Sequence, residues 1–229
     1  MTTRVPPGVD PAAFDAVCHE VADLHAELVR WGLVVWTAGN VSARLPGADY
    51  MVIKPSGVPY SDISATSLIV CDLNGKKISG AGAPSSDTAA HAFVYQQLPD
   101  VGGVVHTHST YATAWAARGE AIPCVLTAMA DEFGGEIPVG PFALIGDDSI
   151  GRGIVGTLRG HRSPAVLMKS HGVFTIGRTA TDAAKSAAMC EDVARTVHIS
   201  RQLGQPLSIE PADIDRLYDR YKNVYGQRP

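Results

Sequence analysis

The spacing of apolar residues predicts six helices along the chain. In the first helix, apolar side chains recur every three or four positions, at Phe14, Val17, Val21, Leu24, Leu28 and Trp31. This spacing places them on one face of a helix. Asp10 is suited to cap the helix, Pro11 to occupy its first position and Gly32 to end it. The other predicted helices cover residues 88–97, 111–118, 149–159, 181–203 and 211–224, and Ser86 is predicted to cap the one that begins at residue 88.

Short apolar runs bounded by glycine, proline and asparagine predict the strands. Seven of these runs cover residues 33–36, 50–54, 68–72, 76–79, 122–129, 165–168 and 173–177, and an eighth strand begins at Val104. Asn74-Gly75 lies between two runs and is a strong hairpin signal, so part of the sheet should be antiparallel. We expect a turn at 37–42, a break at 130–135, and one mixed α/β domain over residues 1–229.

Composition narrows the class of protein. The net charge is −4, which provides no basic surface for nucleic acid. No apolar run approaches the roughly 20 residues that cross a bilayer, so we expect no membrane partner. The first seven residues lack the apolar core of a secretory signal, and the four cysteines form no Cys-x-x-Cys motif. We therefore expect a cytoplasmic protein with reduced cysteines.

Histidines at two places in the chain suggest a metal site. His106 and His108 alternate along a predicted strand, so both side chains should project from the same face. His171 follows another predicted strand, and three imidazoles with a vacant position are typical of a catalytic divalent ion. Asp87 could complete the set, and His91, one helical turn later, could support it. The alternative is that His106 and His108 are ordinary surface histidines.

A second group of residues suits an anion. Its members lie in short segments next to predicted helices and strands: Gly39, Asn40, Lys54, Ser56, Gly57, Ser85 and Ser86. They offer an ammonium, hydroxyls, an amide and backbone N–H groups, and a helix N-terminus near Ser86 adds its dipole. A phosphate requires this mixture. The alternative is ordinary turn chemistry, since serine, glycine and asparagine are common in turns. No Walker or Gly-x-Gly-x-x-Gly motif indicates a nucleotide.

Seven short motifs occur in an order that resembles the class II aldolase/adducin superfamily, and within it the L-ribulose-5-phosphate 4-epimerases. The motifs cover residues 36–42, 53–57, 84–88, 105–109, 130–131, 170–172 and 225–227. The resemblance extends from about Trp31 to Gln227. It implies an α/β/α fold with a central, mainly antiparallel sheet, and a homotetramer whose active sites lie between subunits.

The resemblance also assigns roles to residues. It implies that His106, His108 and His171 bind a divalent metal ion, with zinc as the first candidate. Asp87 matches a position that is Asp in epimerases and usually Glu in fuculose-phosphate aldolases. The implied phosphate contacts are Asn40, Lys54, Ser56, Gly57, Ser85 and Ser86. Asp131 and Tyr225 match the epimerase proton-transfer pair, and Thr127 matches a nearby substrate-site threonine.

The implied activity is metal-dependent interconversion of L-ribulose 5-phosphate and D-xylulose 5-phosphate by retro-aldol cleavage and re-formation of a carbon–carbon bond. Alternatives within the superfamily are an aldolase or a decarboxylase that acts on another sugar or sugar-acid phosphate. A different class is a catalytically inactive interaction module, which the intact histidines disfavour. One departure from some epimerases is that Asp215-Arg216-Leu217-Tyr218 contains no histidine before the tyrosine of the last helix.

Overall fold

The computed structural model describes residues 3–224 of the chain. The helices are α1 (Pro11–Arg30), α2 (Thr88–Gln97), α3 (Thr110–Arg118), α4 (Thr127–Phe133), α5 (Ser149–Leu158), α6 (Ala180–Leu203) and α7 (Pro211–Val224). The strands are β1 (Asn40–Arg44), β2 (Tyr50–Ile53), β3 (Ile69–Asp72), β4 (Lys77–Ser79), β5 (Gly103–Thr107), β6 (Val139–Gly140), β7 (Ala165–Met168) and β8 (Gly172–Gly177).

Within residues 3–224 the strands form one sheet of eight, in the order β4-β3-β2-β1-β5-β8-β7-β6. Every neighbouring pair is antiparallel except β6 and β7, which are parallel. Helices cover both faces, so the predicted α/β/α architecture with a mainly antiparallel sheet is confirmed. None of the helices in the described residues combines the length and apolarity that a bilayer crossing requires.

The two faces of the sheet have different partners because side chains alternate along each strand. On β5, Val105 faces a cluster formed with α1 and α6, whereas Val104 faces α2 and α5. β1 continues this pattern, since Val41 packs with α1, while Ser42 bonds to residues of α2. Ser42 and His106, which have the same parity as the residues facing α2, therefore lie on the α2 side of the sheet.

The caps confirm part of the helix prediction and correct another part. Asp10 accepts a hydrogen bond from the Ala13 backbone N–H at 3.0 Å, as expected for the N-cap of α1. The prediction of Ser86 as the N-cap of α2 is wrong, because Asp87 occupies that position and its carboxylate does not cap the helix. That carboxylate instead accepts a hydrogen bond from Asn40 at 2.7 Å. The start of α2 is thus shaped by a contact with β1.

The predicted strand at 33–36 is wrong, and the predicted turn at 37–42 is wrong from Asn40 onward, where β1 begins. Leu33 is buried, but Trp36 is 81% exposed and has a positive φ of 59°, so the chain bends there instead of pairing. The strand of this region is β1, which begins at Asn40 and places that residue opposite His106. Gly39, directly before β1, lies very close to the neighbouring backbone. A Cβ at this position would be 2.8 Å from the His106 carbonyl oxygen.

The predicted strand at 122–129 is also wrong, and the predicted break at 130–135 begins only at Gly134. Ile122 makes only an isolated bridge to Ile137, and α4 runs through most of the rest. Met129 and Phe133 are one turn apart and buried, so their spacing agrees with the helix. The helix ends at Gly134, whose φ of 64° is typical of a helix C-terminus.

Candidate active site

A cavity of about 300 Å³ opens on the α2 side of the sheet, where β1, β2, β5 and the β7–β8 turn meet the start of α2. It is lined by every residue that the sequence predicted for the metal or the phosphate: Asn40, Lys54, Ser56, Gly57, Ser85, Ser86, Asp87, His106, His108 and His171. Residues separated by more than 130 positions in the chain are thus brought to one site. The interpretation of these residues as ordinary turn or surface groups does not explain this convergence.

The three histidines form a compact group at one end of the cavity. Their ligand nitrogens all lie within 4.8 Å of one another, and Nε2 of His106 is 2.9 Å from Nε2 of His108. His106 Nδ1 donates to the Val173 carbonyl oxygen at 2.9 Å. Because a carbonyl only accepts, Nδ1 carries the proton and Nε2 is left with its lone pair toward the group. This is the arrangement of a metal-binding imidazole.

Packing fixes the histidine rings. The His106 ring stacks on Phe174 with a centroid distance of 4.0 Å and an interplanar angle of 11°. Gly172 is the first residue of β8, at a point where β8 lies very close to β5. A Cβ there would lie 2.6 Å from the Thr107 carbonyl oxygen, 3.1 Å from His108 Cδ2 and 3.2 Å from His106 Cε1. The close approach of the histidines therefore depends on the missing side chain of Gly172.

Gly172→Ala is expected to weaken divalent-metal binding, measured with zinc as the probe, by about tenfold, because groups that orient metal ligands typically contribute 10- to 100-fold in affinity. The added methyl group must displace the backbone of Thr107 or the two imidazoles. Competition with a chromogenic chelator would measure the affinity. Gly156→Ala is the matched control, since a Cβ at Gly156 meets nothing within 4 Å. Wild-type affinity in Gly172→Ala would contradict the packing argument.

The ionisation states suit metal binding. Burial lowers the pKa of His106 to about 3 and also lowers the pKa of His108 and His171. These imidazoles are therefore neutral near pH 7, which is the form that binds a metal. Burial would raise the pKa of Asp87, but nearby His106 and His91 and the bond from Asn40 outweigh it, so the pKa lies below its usual range. The site combines neutral imidazoles with one carboxylate.

Two polar atoms at the cavity lack partners. His171 Nδ1 and Asn40 Oδ1 are buried and have no hydrogen-bond partner among the described residues. Such groups are costly unless a ligand or water satisfies them. Among residues 3–224, the side chains that lie close enough together to hold a metal ion are those of the three histidines. Asp87 is not one of them. The residues present therefore fit a divalent ion, and the role of Asp87 stays a prediction.

Lys54 places a buried positive charge at the wall of the cavity, where it would attract an anion. The residue is only 2% exposed, and its Nζ donates to the carbonyl oxygens of Thr37 at 3.1 Å and Pro55 at 3.5 Å. No carboxylate of the described residues forms an ion pair with it, and burial lowers the pKa of its ammonium group. Because a buried unpaired charge is costly, an entering anion would relieve this cost. Ser56 and Ser85 lie at the same wall of the cavity.

Two of the predicted proton-transfer and substrate residues, Asp131 and Thr127, do not line this cavity in their own chain. Both lie on α4. One carboxylate oxygen of Asp131 is 3.9 Å from Arg220, and the other is buried without a hydrogen-bond partner among residues 3–224. Tyr225 lies outside the described residues.

Sequence reasoning missed some residues around the site. Phe174 supports His106, and its position two residues after Gly172 on β8 could have indicated the shared face. Ile145 lines the cavity from an exposed loop for which the sequence has no pattern. His91, predicted to support the metal, is buried and its Nδ1 lies 2.7 Å from Ser42 Oγ. It therefore links α2 to β1 behind the cavity.

Comparisons with known proteins agree with this geometry. A family model described as the class II aldolase and adducin N-terminal domain matches residues 19–198. The L-ribulose-5-phosphate 4-epimerase UlaF of Salmonella paratyphi B is 41% identical over 198 residues, which is 82% of this chain and 87% of that protein. UlaF of Salmonella typhi has the same identity and coverage.

Solved structures show a similar fold. An L-fuculose 1-phosphate aldolase has a TM-score of 0.82 and 25% identity, and the match covers 90% of this chain and 96% of that one. YgbL from Klebsiella pneumoniae, described as an aldolase/epimerase/decarboxylase, has a TM-score of 0.79 and 27% identity, with coverage of 90% and 99%. The fold is therefore shared along most of the chain.

Proposed function

Because the chain belongs to the class II aldolase and adducin N-terminal domain family, we propose that it is a metal-dependent epimerase that interconverts L-ribulose 5-phosphate and D-xylulose 5-phosphate. The similarity to 4-epimerases over most of the chain carries this proposal. The histidine group and the buried lysine in one cavity support it, since the reaction needs a Lewis acid and a phosphate pocket close together. The same intact groups argue against an inactive interaction module.

His106, His108 and His171 are the proposed metal ligands, and Asp87 supplies a carboxylate beside them. Zinc is the first candidate because three imidazoles with an open position are typical of catalytic zinc. When bound, the ion would act as a Lewis acid and stabilise the negative charge that develops on the substrate oxygens during cleavage. Asn40 holds Asp87 through a 2.7 Å hydrogen bond, which fixes the carboxylate at the cavity that the histidines line.

The phosphate is proposed to bind against Lys54 and the segments that contain Asn40, Ser56, Gly57, Ser85 and Ser86. The first turn of α2 follows directly, so its N–H groups add to the positive potential. An epimerase must retain the phosphorylated aldehyde after cleavage, because escape of this fragment would convert the reaction into an aldol cleavage. Lys54 therefore serves both affinity and retention.

Proton transfer is assigned to Asp131 and Tyr225. One group removes the proton from the hydroxyl on carbon 4, the bond between carbons 3 and 4 breaks, and the aldehyde turns its other face before the bond re-forms. The second group returns a proton to the new alkoxide, which inverts carbon 4. Since α4 lies away from the cavity of its own chain, we propose that Asp131, Thr127 and Tyr225 serve the site of a neighbouring subunit in a homotetramer.

A metal-dependent aldolase or decarboxylase for another sugar or sugar-acid phosphate is the second candidate. The structural similarity to an L-fuculose 1-phosphate aldolase favours it. Metal and phosphate groups alone do not distinguish the reactions, because related sites on one fold support different chemistry. Asp87, Asp131 and Tyr225, together with the higher identity to the epimerases, favour epimerisation.

Carbon NMR of zinc-loaded protein with L-ribulose 5-phosphate tests the proposal. We expect signals of D-xylulose 5-phosphate without free aldehyde. Cleavage products would assign the protein to the aldolases, and release of carbon dioxide from a sugar-acid phosphate would assign it to the decarboxylases. Unchanged substrate at full zinc occupancy would reject this substrate.

A further inference from the structure

Polar side chains join α2 to β1 directly behind the metal cavity. His91 Nδ1 lies 2.7 Å from Ser42 Oγ, and the Tyr95 hydroxyl lies 2.7 Å from the same oxygen. One turn earlier, Asp87 accepts the 2.7 Å hydrogen bond from Asn40. Side chains spaced by one helical turn, at 87, 91 and 95, therefore bond to two residues on one face of β1. We refer to these five side chains as the α2 anchor.

The α2 anchor is polar but buried. Each of its five residues is at most 6% exposed. Burial lowers the pKa of His91 to about 4, so the imidazole is neutral near pH 7. Its Nε2 has no hydrogen-bond partner among residues 3–224, so the bond to Ser42 orients the ring. Buried polar contacts of this kind specify one position of a helix on a strand, because a shift would leave them unpaired.

The α2 anchor reaches the groups that form the metal site. Asn40 lies opposite His106 in the sheet, and Asp87 lines the cavity with the three histidines. The His91 ring meets Phe174 edge-on at 6.1 Å, and His106 stacks on that same ring. The His91 backbone N–H donates to the Asp87 carbonyl oxygen at 3.0 Å. A shift of α2 along β1 would therefore move the Asp87 carboxylate relative to the histidines.

We propose that His91 is a positioning residue of the metal site, which fixes α2 on β1 through Ser42 and so holds the Asp87 carboxylate beside the histidines. His91 does not line the cavity, and within residues 3–224 it is not one of the clustered groups that could hold an ion. It therefore acts on the metal through Asp87. This inference rests on the metal-dependent function proposed above.

Zinc affinity and a cobalt spectrum test the proposal without an activity assay. His91→Leu is expected to weaken zinc binding about tenfold, as for other groups that orient metal ligands. The visible spectrum of the cobalt-loaded protein should also change, because it depends on ligand geometry. His91→Asn places an amide where Nδ1 lies, so it can still bond to Ser42 and should bind zinc within about threefold of wild type. Wild-type affinity in His91→Leu, or an equal loss in His91→Asn, would overturn the proposal.

His25→Leu is the matched control, because His25 is a buried histidine bonded to the same strand from its opposite face. His25 Nε2 accepts a hydrogen bond from the Val41 N–H at 3.0 Å, and Nδ1 donates to the Val21 carbonyl oxygen at 2.7 Å. Both leucine variants should unfold at lower temperature, but only His91→Leu should change zinc affinity and the cobalt spectrum. Equal metal losses would assign the effect to general destabilisation and overturn the proposal. If His91→Leu fails to fold, Ser42→Ala replaces it, since it removes both bonds and keeps both rings.

A double-mutant cycle tests the route through Asp87. In an Asp87→Asn background, His91→Leu should cause no further loss of zinc affinity, because the carboxylate that it positions is gone. An equal loss in both backgrounds would overturn this route. Wild-type protein without zinc affinity would reject the metal-dependent function itself, whereas wild-type zinc binding that His91→Leu leaves unchanged would reject only the positioning role.

Discussion

His106→Ala is expected to remove both the bound metal and the activity. His106 supplies one of three clustered imidazoles, and its Nδ1 bond to Val173 fixes the tautomer that leaves Nε2 as ligand. The remaining two histidines leave an incomplete site for zinc. Because Lewis-acid stabilisation contributes several kcal/mol, the rate should fall by about a thousandfold or more.

Elemental analysis after gel filtration measures the metal, and the epimerisation assay measures the rate. His19→Ala is a suitable control, since its exposed side chain pairs with the exposed Asp15. The thermal unfolding curve of His106→Ala should be compared with that of chelator-treated wild type, because both lack the metal. Full zinc retention in His106→Ala would refute the ligand assignment.

The sequence predicted the elements in which local chemistry agrees with the fold. α1 begins at Pro11 behind an aspartate cap and ends before Gly32, as its apolar spacing indicates. The hairpin between β3 and β4 forms around Asn74-Gly75, where Gly75 has a φ of 80°. In these places a single residue type is favoured strongly enough for the sequence to locate the boundary.

The wrong predictions lie where tertiary contacts override local preference. The apolar run at 33–36 has strand composition, but the chain must bend at Trp36 so that Asn40 can pair opposite His106. β1 has no apolar pattern, because it carries the buried polar residues Asn40 and Ser42, which bond to Asp87 at the start of α2 and to His91. The segment at 122–133 was likewise too short for periodicity to separate helix from strand.

Some residues of the candidate site could be predicted from sequence patterns, and others could not. Alternation along the predicted strand indicated that His106 and His108 share a face, although β5 ends at Thr107 and His108 follows it. Turn chemistry indicated Lys54 and its neighbours. Asp131 and Tyr225 entered only through the family resemblance, since neither has a distinctive spacing. The contact between Ser42 and His91 spans 49 positions and carries no sequence signal. Pairings of this kind become visible only in the folded chain.

Lys54→Met is expected to lower kcat/KM for the sugar phosphate about a hundredfold and to increase release of free aldehyde. A charge-assisted hydrogen bond is worth about 1.5–3 kcal/mol, and its loss weakens the hold on the phosphorylated fragment after cleavage. Zinc content should be unchanged, because Lys54 contributes no ligand atom to the histidine group. Carbon NMR with an aldehyde trap would measure both the epimerised product and the escaped fragment. Lys76→Met is the matched control, since Lys76 is exposed in the hairpin turn.

The same variant separates a ligand-binding role from a structural one. Methionine has a similar length but no charge, and replacing a buried cation that has no carboxylate partner among the described residues removes a desolvation cost. We therefore expect the melting temperature of Lys54→Met to equal or exceed that of the wild type. A loss of activity with a gain in stability would mean that the buried ammonium serves the phosphate, at the expense of the folded state. A large loss of stability with unchanged kcat/KM would instead assign Lys54 to the Thr37 and Pro55 carbonyls that it bonds.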